Sequence, residues 1–158
     1  MMSTDPMTLE LAGQPFLRGL SPSHLAELAA CATVISFPAG QHIFREGDPA
    51  ASFFILRRGR VALQLDVPGR GVTTIQTVGE GDVLGWSWLF PPYRWQFDAT
   101  AMDLTRAVAL DADCLRRTME ADHELGYLLM RRFAQTISDR LQATRLQMLD
   151  VYGHASNR

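Results

Sequence analysis

The sequence predicts a mainly β domain, a sandwich or barrel of short strands framed by helices, and three observations carry that expectation. From Thr33 to Leu110, short β-rich runs are punctuated by Gly, Pro and Asp. Within them Val61, Leu63, Leu65 and Val67 alternate with Ala62, Gln64 and Asp66, as a strand with one buried face requires. After Leu110 the apolar period becomes helical. With 158 residues, 47% of them apolar, the chain can bury a single core of its own.

The elements follow in order. Ser21 can cap a helix that starts at Pro22 and carries Leu25, Leu28 and Ala29 on one face to about Ala32. Strands are expected over 33–37, 41–44, 53–56, 60–67, 72–78, 99–102 and 106–110, with Pro68-Gly69-Arg70-Gly71 as a hairpin tip. Asp111 can cap a helix running through Met119. A second, longer helix is expected from about His123 to Val151, since no Gly or Pro interrupts it between Gly126 and that end. In it Phe133, Ile137, Leu141, Thr144, Met148 and Val151 approximate a heptad seam. The first half of that helix is expected to pack on the β domain. Past Leu141 it outruns a small barrel, and a parallel two-helix dimer contact is the favoured partner for its apolar face.

Composition excludes several classes of function. A net charge of -2 and a pI near 6.0 give no basic footprint, so direct nucleic-acid binding is not expected. No apolar run approaches the roughly 20 residues of a membrane span, and the first residues lack the parts of a signal peptide, so the expected location is cytoplasmic. Cys31 and Cys114 stand far apart and are read as two small buried apolar residues rather than redox sensors. His24, His42, His123 and His154 share no strand or short helical spacing, so no metal site is expected. No catalytic residues are assigned. Arg57, Arg58 and Arg60, and the pairs Arg116-Arg117 and Arg131-Arg132, are read as solvated charges.

The informative stretch is Gly81 to Ala101. All three tryptophans fall between residues 86 and 95, and Trp86, Trp88, Phe90, Tyr93, Trp95 and Phe97 crowd a segment that also holds Gly85, Ser87 and Arg94. Phe90 and Phe97 are assigned to the core. In extended chain, alternate positions face opposite sides, so some of the remaining rings are expected to line a pocket or a partner surface.

Three ordered motifs resemble the cyclic-nucleotide-binding domain of the bacterial catabolite-activator and fumarate-nitrate-regulator superfamily. They are Phe37-x-x-Gly40-x-x-Ile43-x-x-Glu46-Gly47-Asp48, Phe54-Ile55-Leu56-x-x-Gly59-x-Val61 and Gly81-Asp82-Val83-Leu84-Gly85. The resemblance implies a double-stranded β-helix, or jelly roll, over residues 16–121 and a dimerisation helix over residues 122–152. It also implies that the stretch from Gly85 is a phosphate-binding cassette, in which the unpaired amides at the start of a short helix face an anion. Gly85, Trp86 and Ser87 would supply those donors, with Trp88, Arg94 and Trp95 beside them as ligand-binding candidates.

Two departures from the family pattern bear on the ligand. Trp86 stands where the family has the glutamate that takes the ribose hydroxyl, and an indole has one donor and no acceptor. Trp95 stands where the family has its phosphate-binding arginine, with Arg94 one residue earlier, on the opposite side of a strand. Arg94 is left as either a pocket cation or a surface charge, because the Pro91-Pro92 loop could absorb the offset. The expected function is a non-catalytic sensor of a small anionic ligand, a cyclic nucleotide or another anionic aromatic molecule, with no resident cofactor and poor fitness for ordinary cyclic AMP. A homodimer through the last helix would relay its state to an unidentified downstream protein. The alternative is a ligand-free dimerisation or docking module with a vestigial pocket. Only Gly153 to Arg158 follow the long helix, too few for the family's DNA-reading module, so a complete transcription factor is not expected.

Overall fold

The computed structural model describes residues 5–156, with side chains to Leu146. Eight strands form two antiparallel four-stranded sheets: β1 (Ala32–Phe37), β8 (Thr105–Asp111), β3 (Ser52–Arg58) and β6 (Val83–Leu84) in one, and β2 (His42–Phe44), β7 (Asp98–Ala101), β4 (Val61–Val67) and β5 (Gly71–Val78) in the other. Each sheet takes strands from both ends of the β region, which is the winding of a jelly roll. Leu56, Val61, Leu63, Leu84 and Ala99 close the space between the sheets with almost no exposure, while Ile55 and Val108, on the other face of their sheet, are buried under the helices. The mainly β expectation holds, and β6 is the strand that the sequence pattern did not reveal.

Gly40, Gly47, Gly59 and Gly81 all adopt positive φ. At Gly59 the requirement is doubled, since an added Cβ would lie 2.6 Å from Thr105 Oγ1 and 2.7 Å from the Leu104 carbonyl oxygen. Burial does not alternate along β4 as expected. Val61, Ala62 and Leu63 are all buried, Leu65 and Val67 are half-buried about an exposed Asp66, and a register shift falls between Leu63 and Gln64 where the β4–β5 hairpin leaves the core.

The helices are α1 (Pro6–Ala12), α2 (Pro22–Ala29), α3 (Ala112–Ala121) and α4 (His123–Ser156). Ser21 Oγ accepts from the His24 amide and Asp111 Oδ2 from the Cys114 amide, so both expected caps form. Helix α1 lies before the first helix read from the sequence and buries Leu11.

Cys31 and Cys114 are not separate thiols. Antiparallel pairing of β1 with β8 sets Ala32 opposite Leu110, and the first turn of α3 then carries Cys114 over Cys31. The two form a disulfide with Cα atoms 5.6 Å apart. Pairing across 83 residues left no local trace in the sequence.

Helix α4 divides by burial. Leu125, Leu129 and Phe133 are buried, and Arg132 donates from Nη1 to the Phe16 carbonyl and from Nη2 to the Arg18 carbonyl. Arg132, read as a solvated charge, therefore fastens the turn before α2 onto α4. No described helix is long and apolar enough to cross a membrane.

Candidate functional site

The site is the cassette between β6 and β7. Leu84 pairs with Phe54, and Gly85 then turns the chain at φ 88° into a 3₁₀ turn over Ser87–Leu89. Because this turn is helical and not extended, the alternation argument fails here. Trp88 points wholly inward at 0% exposure, its Nε1 donating to the Gly85 carbonyl at 2.9 Å and its ring 5.5 Å from Phe133 and 6.3 Å from Phe53. Trp88 is a core residue, unavailable to a ligand in this arrangement. Phe90, assigned to the core, is half exposed at 49%, whereas Phe97 does pack on Phe44.

Beyond the turn, a cis Pro91-Pro92 bond leads into extended chain that pairs antiparallel with residues 47–50. Trp95 donates its amide to the Asp48 carbonyl, and the Gly47 amide donates to the Trp95 carbonyl. That pairing fixes which way neighbouring side chains face. Trp95 enters the roll at 4% exposure, and Arg94 leaves it, exposed, with Nη1 donating to the Gly47 carbonyl at 2.8 Å. The proline loop does not absorb the one-residue offset, and Arg94 is not a pocket cation in this structure.

The Trp95 indole stacks on Phe44 at 3.8 Å between centroids and 11° between planes. Its outer edge covers Gly85 so closely that an added Cβ would lie 2.5 Å from Trp95 Cζ3. The surface over the cassette glycine is therefore occupied by the chain itself. Ser87 is buried, and Trp86 is half-buried beneath Arg140 of α4, whose Cζ lies 4.8 Å from the ring centroid.

Two arginines clamp this segment, and neither stood out in the sequence. Arg140 donates from Nη2 to the Val83 carbonyl, while its Nη1 is buried without a hydrogen-bond partner among the described residues. Burial pushes its guanidinium down to about 10, with Asp82 opposing that shift. It borders an open groove of about 390 Å³ between β5, Asp82 and α4. Arg116, expected in solvent, donates from Nη1 to the Trp88 carbonyl at 2.6 Å, places its guanidinium 5.1 Å from the Tyr93 centroid and pairs with Asp113. Of the other arginines read as solvated, Arg57 pairs with Glu10 of α1, and Arg60 pairs with Asp103 at 2.8 Å.

The apolar line along α4 also differs from the expected seam. Phe133 faces the roll core, 4.9 Å from Phe53 and 5.2 Å from Phe16. The outward line is Tyr127, Met130, Ala134, Ile137, Leu141 and Thr144, spaced alternately by three and four residues. Tyr127 is 63% exposed and Leu141 59%. Met148 and Val151 continue the spacing, but their side chains lie outside the described residues.

The family model for the cyclic nucleotide-binding domain matches residues 34–122, more than half of the chain. The chain belongs to this family. It is 28% identical over 141 residues to a CRP-like cAMP-activated global transcriptional regulator of Mycobacterium tuberculosis, a match covering 89% of this chain and 61% of the relative. The chain thus spans less than two thirds of that regulator's length. It is also 34% identical to part of glutaminase 1 of Bradyrhizobium diazoefficiens, over 85% of this chain but 21% of the enzyme. A cyclic nucleotide-binding domain of Methylobacillus flagellatus superposes with a TM-score of 0.78 at 20% identity, covering 91% of this chain and 81% of that one, a likeness of fold. Eight strands in two antiparallel sheets with a long last helix are the architecture such domains share, and a regulatory role follows from the family.

Proposed function

We propose that this chain is a non-catalytic regulatory domain that carries its own plug. The Trp95 indole occupies the cradle where relatives of this family hold a cyclic phosphate, so ordinary cyclic AMP is not its ligand. The observation that carries this reading is the Trp95 ring lying over Gly85 with no room for even one added carbon. Trp86 adds to it, because an indole at that position leaves a ribose hydroxyl without an acceptor, at a cost of about 1–3 kcal/mol. Of the two functions the sequence left open, the geometry favours the ligand-free module. An anionic aromatic ligand would first have to displace Trp95 from its stack on Phe44.

Output passes through α4. The outward line from Tyr127 to Thr144 has the spacing of a two-stranded seam, and a second copy of the same helix is the partner that suits it. Contact between Trp86 and Arg140 ties the cassette to this helix, so any change at the cassette that moved Trp86 would be felt along α4.

Isothermal titration of the chain with cyclic AMP, cyclic GMP and an aromatic carboxylate tests the plug. No saturable binding is expected for the wild type, and micromolar binding of cyclic AMP sinks the reading. In a variant carrying Trp86→Glu and Trp95→Arg, which restores the family's two contacts, cyclic AMP should bind. Binding of the aromatic carboxylate alone by the wild type would favour the anionic-ligand function instead.

A further inference from the structure

Away from the cradle, α2 and the junction between α3 and α4 bring together His24, Glu27 and Asp122, with one ligand atom from each within 4.8 Å of the others. His24 and Glu27 are three residues apart on α2, so one helix face presents an imidazole beside a carboxylate. Asp122 is the single residue separating α3 from α4. Its Oδ1 accepts from the Leu125 amide at 3.2 Å, while Oδ2 lies 3.4 Å from His24 Nε2. Glu124 Oε1, on the exposed side, stands 4.0 Å from the same nitrogen.

A second observation points to a missing partner. His24 is only 7% exposed and turns Nε2 toward Asp122, and Glu27 Oε2 is buried with no hydrogen-bond partner among the described residues. Leaving such an atom unsatisfied costs about 1–3 kcal/mol. Without a cation the two carboxyls can share the site only when Glu27 is protonated and donates to Asp122, since two carboxylates this close repel each other. A cation among them would offset the two carboxylates and take up Glu27 Oε2, with His24 binding through Nε2, the nitrogen that faces Asp122. One imidazole nitrogen with carboxylate oxygens suits zinc-class ions, whereas magnesium and calcium favour all-oxygen shells.

We propose that His24, Glu27 and Asp122 form a binding site for a zinc-class divalent cation that pins α2 to the root of α4. Histidine spacing could not reveal it, because two of the three donors are carboxylates, one of them from a distant helix junction. The position gives the site a consequence. Asp122 is where α4 begins, so an ion held there stiffens the base of the output helix independently of what fills the cradle.

The test titrates the untagged 158-residue chain with Zn²⁺, and with Mg²⁺ as control, by calorimetry and thermal unfolding. No thiol reductant is present, which keeps Cys31 and Cys114 in their disulfide and out of the coordination. Saturable one-to-one Zn²⁺ binding, a raised unfolding temperature and slowed amide exchange over residues 122–127 are expected. His24→Asn and Glu27→Gln should each weaken Zn²⁺ at least about tenfold, as loss of even an outer partner of a metal ligand does. His123→Asn, at the exposed histidine next to Asp122, should leave affinity unchanged. Glu27→Gln keeps the side-chain shape and removes a charge, so its unfolding curve separates lost binding from lost fold. The proposal is overturned by absence of Zn²⁺ binding, by Zn²⁺ affinity that survives both His24→Asn and Glu27→Gln, or by an equal response to Mg²⁺.

Discussion

Between Leu125 and Phe133, helix α4 buries three large apolar side chains against the roll, and Arg132 ties the Phe16 and Arg18 carbonyls to it. From Leu141 onward the same helix leaves Leu141 59% and Leu146 64% exposed, with Arg140 as its last described tether to the roll. Both stretches are apolar in sequence; what separates them is the reach of the β roll. Near the roll, the aromatic rings of Phe16, Phe53, Trp88 and Phe133 form one cluster, so cassette and helix base are packed as a unit. Farther out, an apolar line has no interior to enter, and burying it takes a second chain.

The largest way to break this contrast is to delete a ring at the base. Phe133→Ala removes a side chain at 2% exposure that touches three other aromatics, and should cost about 3–5 kcal/mol in chemical denaturation. Leu141→Asp, on the outer half of the same helix, should change the stability of the isolated domain by no more than about 0.5 kcal/mol. Its effect belongs in sedimentation velocity instead, where the wild type should be a dimer and the variant a monomer at micromolar concentration. Equal losses of stability in the two variants, or a monomeric wild type, would show that the two halves do not differ as described.

A smaller effect tests whether the cassette belongs to the packed unit. Gly85→Ala puts a Cβ at φ 88° and into the Trp95 ring, so backbone strain alone should cost about 1–2 kcal/mol and displacement of the indole should add to it. If the aromatic cluster transmits that displacement, hydrogen exchange should accelerate at the base of α4 as well as in the cassette. Acceleration confined to residues 83–90 would mean that Trp88 and Phe133 are neighbours without coupling.

How far the sequence revealed this arrangement depended on whether the cause was local. Seven of the eight strands, the turn glycines and the caps at Ser21 and Asp111 are local, and all were readable. The facing of Arg94 was left open, because the course of the Pro91-Pro92 loop could not be read locally and the pairing with residues 47–50 that decides it is a tertiary contact. Trp88 was misplaced because the chain after Gly85 coils into a 3₁₀ turn, which the extended reading did not allow. The roles of Arg116, Arg132 and Arg140 were hidden for another reason: each serves a carbonyl of a segment far away in sequence, and a charged residue on a helix gives no sign of which carbonyl it will meet. The disulfide and the cluster at Asp122 are likewise products of tertiary pairing.

The smallest expected effect lies at that cluster, where the base of α4 is held by charge rather than by rings. In metal-free protein, burial raises the Glu27 carboxyl above its ordinary 4.5, and the neighbouring Asp122 carboxylate raises it further, while His24 pulls the other way. Asp122 is held below its ordinary 3.8, chiefly by the Leu125 amide. A raised acid favours the native state only while protonated, so the Glu27 contribution is present below pH 4.5 and is lost as pH climbs through its folded value. Asp122 acts oppositely, its contribution being lost only as pH falls below 3.8, outside that window. Glu27→Gln removes the loss without touching the Asp122 cap. With a chelator present, the variant should therefore be more stable than the wild type at pH 7, and the gap should close as pH approaches 4.5. His24 draws the Glu27 carboxyl down by less than burial and Asp122 push it up, so it reduces the difference without reversing its sign. A gap that stayed constant across this range would mean that Glu27 is solvated at the helix base, and that α4 is rooted by its aromatic packing alone.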